Sequence, residues 1–190
     1  MRRIVAITAL AAAFTSPAAA AEPRTAPDCR FDGARSYESF GTIRTFTAGS
    51  TLYGCLTDVG RAHRLDTGTL RARSSTTRST LFGAGDWVGF QARGSAGRTR
   101  ARALNLRTGR THAARTSAPI TALVANHDGT LTWIAGTALR TKTASSGARL
   151  LASDGAIDRS FLGLENDRGC AVTWKLGGEQ RSSSIFCATP

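Results

Sequence analysis

The chain has 190 residues, with 25 Lys and Arg against 13 Asp and Glu, a formal net charge of +12 and four cysteines. That length fits one compact domain able to bury a core of useful size. No apolar run reaches the roughly 20 residues needed to cross a membrane as a helix, which excludes a helical membrane protein.

Met1-Arg2-Arg3 is a short positive region, Ile4 to Phe14 is apolar, and Ser16-Pro17 breaks the run before Ala18-Ala19-Ala20-Ala21. This is the order of a secretory signal. Residues 1–20 are therefore expected to be removed, so that the mature chain begins at Ala21 or Glu22 and carries a net charge of about +10. The expected location is secreted or extracytoplasmic, with no transmembrane span after cleavage. Nearly all the positive charge is arginine, as only Lys142 and Lys175 are lysines. A GC-rich genome produces the same bias without any partner.

Residues 21–35 are polar, contain Pro23, Pro27 and Gly33, and read as an irregular lead-in. From residue 36 to 190 no window shows a 3.6-residue apolar period. Short β-branched and aromatic runs recur instead between Gly, Ser, Asn and Asp, which is the all-β signal. Thr51 to Leu56, Trp87 to Phe90, Leu131 to Ile134 and Ala171 to Trp174 are such runs. Aligning Leu52, Trp87, Leu131 and Val172 gives spacings of 35, 44 and 41 residues. Candidate strands precede them at Ile43–Phe46, Ser79–Phe82, Ile120–Val124 and Ser160–Leu164. Others follow at Arg61–Leu65, Arg98–Leu106, Leu139–Thr143 and Arg181–Phe186. Thr108-Gly109 and Ser146-Gly147 read as tight turns into a further strand. The predicted architecture is four antiparallel meander repeats of about 40 residues, roughly 36–75, 76–116, 117–156 and 157–190, arranged like a propeller. A β-sandwich made of the same meanders is the alternative.

Tyr53-Gly54-Cys55-Leu56 with Gly60-Arg61, Gly85-Asp86-Trp87-Val88-Gly89-Phe90, Leu106 to Arg110, and Asp128 to Trp133 carry a family likeness. Over residues 36–190 the chain resembles degenerate blades of the WD40-like and TolB-like β-propellers, as in small secreted proteins of GC-rich bacteria. The Trp-Asp dipeptide of WD40 repeats is absent. The resemblance implies a ring of small sheets that presents loops to a partner.

An even number of cysteines in an exported chain favours disulfides. Cys29, Cys55, Cys170 and Cys187 lack the close pairs of a zinc site. With Gly178-Glu179 as a two-residue turn, Cys170 falls opposite Cys187, and a one-residue shift leaves them diagonal. The expected pairs are Cys29–Cys55 and Cys170–Cys187, with Cys29–Cys187 as the rival. His63, His112 and His127 share no metal-ligand spacing and read as exposed turn or strand positions. Asn126-His127-Asp128-Gly129 reads as a β-turn rather than a calcium loop. No G-x-S-x-G elbow is present, and nothing singles out Asp86, Asp128, Glu165 or Asp167 as a catalytic pair. Trp87, Trp133 and Trp174 hold near-equivalent places and are expected in the core.

From Trp87 to His127 there is no acid, while Arg93, Arg98, Arg100, Arg102, Arg107, Arg110 and Arg115 all fall in that stretch. On a strand, alternate residues share a face. Arg98, Arg100 and Arg102 would line up, with Leu104 and Leu106 continuing that side into the core. Such a row suits phosphate or carboxylate groups, and Arg98, Arg100, Arg102, Arg107 and Arg110 are the candidate polyanion-binding residues. A solvated basic face is the plain alternative. Interleaved exposed aromatics, which a nucleic-acid module would use, are missing here. The sequence reading is a non-enzymatic secreted or envelope binding or scaffold protein without cofactor, its partner a protein or an anionic envelope polymer. The alternatives are a polyanion-binding surface protein and a small hydrolase with dispersed acids.

Overall fold

The computed structural model describes residues 29–30, 32–65, 80–93, 99–165 and 171–185. The expected leader, Arg98, Asp167, Cys170 and Cys187 lie outside the described residues, and with them the expected cleavage site and the Cys170–Cys187 pair.

The described chain is all strand and turn. Sheet I comprises β1 (Arg35–Phe40), β2 (Ile43–Ala48), β3 (Thr51–Leu56) and β4 (Ala62–Arg64). Sheet II comprises β5 (Leu81–Ala84), β6 (Trp87–Arg93), β7 (Thr99–Asn105) and β8 (Thr111–Arg115). Sheet III comprises β9 (Ile120–Ala125), β10 (Leu131–Ala135), β11 (Ala138–Lys142) and β12 (Arg149–Ser153). Sheet IV comprises β13 (Ile157–Glu165), β14 (Ala171–Leu176) and β15 (Glu179–Ser184). Each is an antiparallel meander in chain order, so every strand pairs with its sequence neighbour. The described residues form four sheets and not the two of a simple sandwich.

Three apolar layers join the four sheets in sequence. Ile43, Leu52 and Leu56 of sheet I meet Val88, Phe90 and Leu104 of sheet II. Ala101 and Ala103 of sheet II meet Leu123, Leu131 and Trp133 of sheet III. Val124, Ile134 and Leu139 of sheet III meet Leu162, Val172 and Trp174 of sheet IV. Sheet III is thus covered on both faces, and all five residues of β10 are buried. That explains why Leu131 to Ala135 reads as an apolar run and does not alternate. The first strands of successive sheets stand side by side: β5 lies beside β1 and β9, and β9 beside β13. Phe40 of β1 and Phe82 of β5 bring their rings to 5.9 Å there.

Two sequence expectations need correction. The run Thr51–Leu56 is the third strand of its sheet, whereas the runs aligned with it form second strands. The true second strands begin at residues 43, 87, 131 and 171, giving spacings of 44, 44 and 40 residues. The register was hidden because β1 has weak apolar patterning. A bulge between Ser36 and Glu38 disrupts its two-residue period, so Tyr37 and Phe40, three apart, both reach the first core layer. The second correction concerns the last hairpin. Its turn is Gly177-Gly178, with Leu176 facing Glu179. Both glycines have positive φ, 60° and 87°, as a two-residue hairpin turn requires, and Glu179 would be strained in that role.

Cys29 is bonded to Cys55, the expected first pair, with Cα atoms 5.9 Å apart. The bond closes over the outer face of sheet I, where Phe46, Ala62, Tyr53 and Ala34 pack around it. Trp133 and Trp174 are buried, and Trp87 is half-buried against the second layer.

Candidate anion-binding site

The β7–β8 hairpin sorts its side chains by size. Ala101 and Ala103 are fully buried in the layer shared with sheet III, which also holds Trp133. The opposite face carries Arg100, Arg102 and the buried Leu104, as strand alternation predicts. Phe90 faces Arg102 across the β6–β7 pair, and its ring lies 5.9 Å beneath the guanidinium carbon, within cation–π range. Arg100 faces Ala92 on one side and Arg115 on the other. Two arginines directly opposite on neighbouring strands repel each other. Among the described residues, no carboxylate lies within ion-pairing distance of Arg100, Arg102 or Arg115.

Arg107 and Arg110 belong to a different place. Both sit in the exposed turn between β7 and β8; Arg110 lies opposite Asn105, five strand positions from Arg100, or roughly 17 Å. Asn105 shapes that turn, its Oδ1 accepting from the backbone N–H groups of Arg107 and Thr108 at 3.0 and 2.8 Å. Arg107 is neutralised there. Its Nε donates to Asp86 Oδ2 at 2.7 Å and its Nη2 to Asp58 Oδ2 at 2.7 Å. These bonds raise the Arg107 pKa further above its ordinary value and, with Arg107 as donor, lower that of Asp58. Arg107 thus clamps turns of sheets I and II together. The candidate row divides into a free basic strip, a structural clamp and the separate exposed Arg110, with Arg98 outside the described residues.

A residue absent from the sequence reading, on the neighbouring sheet, lines a groove with Arg115. Between the outer edges of sheets II and III lies an open groove of about 440 Å³, lined by Arg115, Thr116, Ser117, Arg140 and Ala148. Arg140 is the middle residue of β11 and faces Trp133 and Leu150. It too has no carboxylate partner among the described residues. Its only sequence signal was position: β11 alternates buried Leu139 and Thr141 with partly exposed Ala138, Arg140 and Lys142. The groove wall at 116–118 is held by bonds from Thr116 Oγ1 to the Thr99 carbonyl at 3.0 Å and from Thr99 Oγ1 to the Ala118 carbonyl at 3.1 Å.

No family model matches the chain. No curated protein matches it either.

The remaining candidates take structural positions. His63, expected at an exposed site, is buried on β4, because its ring lies beside Gly109 of the neighbouring sheet. His112, also read as exposed, is half-buried: it tilts against Trp87 at 5.7 Å, with its Nε2 2.8 Å from the Gly129 carbonyl. His127 lies beside Gly85. Among the described residues no three His, Cys, Asp or Glu side chains gather as metal ligands would. Asp86 is held by Arg107. Asp128 accepts the Thr130 N–H at 2.7 Å within its turn, as a turn aspartate should. No described helix is long and apolar enough to cross a membrane.

Proposed function

We infer that this is a non-enzymatic, extracytoplasmic binding protein of propeller-like architecture, which holds an anionic envelope polymer along the outer edge of sheets II and III. Three features support the reading. The Cys29–Cys55 bond suits an oxidising compartment, and the first 20 residues have the order of an export signal. Four meanders follow one another with β1, β5, β9 and β13 side by side, as the inner strands of propeller blades stand around an axis. The observation that carries the functional part is the placement of Arg100 directly opposite Arg115, with no carboxylate partner among the described residues. Like charges so placed cost stability when unliganded, and a bound polyanion relieves the repulsion.

The test is retention of the mature protein on an immobilised polyuronate at low salt. Replacing Arg100, Arg102 and Arg115 together by Gln is expected to weaken binding more than tenfold and to flatten its salt dependence. Arg107→Gln is the contrast, because that side chain is already paired. Equal affinity for the triple variant and the wild type would return the arginines to an ordinary solvated surface.

A further inference from the structure

Resting on that reading, we propose that the groove between β8 and β11–β12 seats one acidic unit of an anionic sugar polymer, with Arg115 and Arg140 as its two cationic contacts. The chemistry recognised is a carboxylate or phosphodiester carried on a polyol.

The two arginines come from different sheets and line the same groove. A guanidinium presents a planar fork of donors that matches a carboxylate or phosphate oxygen pair. Two such forks at one groove suit a single doubly contacted anionic group better than a diffuse ion atmosphere. The groove volume of about 440 Å³ falls within the usual range for small-ligand sites. Its wall is preorganised, since Thr99 and Thr116 tie the 116–118 segment to the edge of sheet II, so little ordering cost attends binding.

The lining and the surface beside it argue for a sugar. Ser117 also lines the groove, and its hydroxyl group complements a polyhydroxylated ligand. Leu150, 48% exposed, faces Arg140 across the β11–β12 pair. It offers a small apolar edge to the C–H face of a sugar ring. A nucleic acid would need a stacking aromatic, and none is among the described residues that line the groove. A membrane surface would need a cluster of exposed apolar side chains. Leu150 is the one large exposed hydrophobic residue among those described.

The experiment measures binding of three probes to the full mature chain: an oligogalacturonate, a glycerol-phosphate oligomer and single-stranded DNA of matched charge. Arg140→Gln and Arg140→Lys are compared with Arg110→Gln, an exposed arginine remote from the groove, after thermal melting confirms that each variant is folded. The expected result is about tenfold weaker binding of one of the first two probes by Arg140→Gln. Arg140→Lys should fall between, having the charge without the fork, and Arg110→Gln should match the wild type. The probe affected shows whether the carboxylate or the phosphodiester is the natural group. Unchanged affinity in Arg140→Gln, while the Arg100, Arg102 and Arg115 triple variant is impaired, would overturn the groove and leave the broader reading standing. Tightest binding to DNA through Arg140 would also overturn it. Wild-type protein that binds none of the three would sink both.

Discussion

His112 shows how one side chain couples two sheets to pH. It projects from β8, and its Nε2–H donates to the Gly129 carbonyl in the β9–β10 turn when the ring is neutral. The Nδ1 atom is buried without a hydrogen-bond partner. Protonation would place a second N–H there. Burial therefore lowers the His112 pKa below 6.5; the bond to Gly129 and nearby Asp128 oppose the shift, and Lys142 adds to it. A depressed folded-state pKa contributes stability that is present above the unfolded value and is lost as pH falls through the folded one. Unfolding free energy should hold steady from pH 8 to 7 and decline below about 6.5, the ordinary histidine value. In His112→Gln, denaturant unfolding between pH 7 and 5 should show a flatter profile. Parallel profiles for the variant and the wild type would contradict this assignment.

Glycines set how closely the strands of adjacent sheets approach. Gly89 in the middle of β6 is pressed against sheet III, and a Cβ there would lie 2.8 Å from Ala125 Cβ and 2.9 Å from side-chain carbons of Leu123 and Leu131. Ala125 has no freedom to turn aside. Gly89→Ala should therefore cost about 1–3 kcal/mol by overpacking. Gly147, with open space around its Cα, should accept Ala with little change in the same chemical melts. Equal stability of both variants would mean that sheets II and III are not packed as described. The same close packing decided what could be read from the sequence. Strands β9 and β10 were visible because burial on both faces makes them apolar apart from Thr121 and Thr132. Strand β7 was visible because Arg and Ala alternate there. Strand β1 was not, because its bulge places Tyr37 and Phe40 three residues apart. The final turn was misplaced by one residue because adjacent glycines allow two registers, and only the backbone conformation selects between them.

The described residues form four successive meanders, fastened by a disulfide on sheet I and by the Arg107 clamp between sheets I and II. Its basic edge lies on sheets II and III. Arg100 and Arg102 were legible as a strip because strand geometry alone places them on one face. Arg107 was indistinguishable from them by sequence, since one of its partners, Asp58, lies 49 residues away. Arg140 was missed for the complementary reason: it lies on another sheet, and only the packing of two sheets brings it to the groove that Arg115 lines. The most direct test is amide hydrogen exchange on the mature protein, with and without saturating anionic polymer. Slower exchange is expected at 99–105, 111–117 and 138–142, with no change in the 106–110 turn where Arg107 is already paired. Protection confined to that turn or to sheet IV, or no protection anywhere, would contradict a polyanion-binding edge.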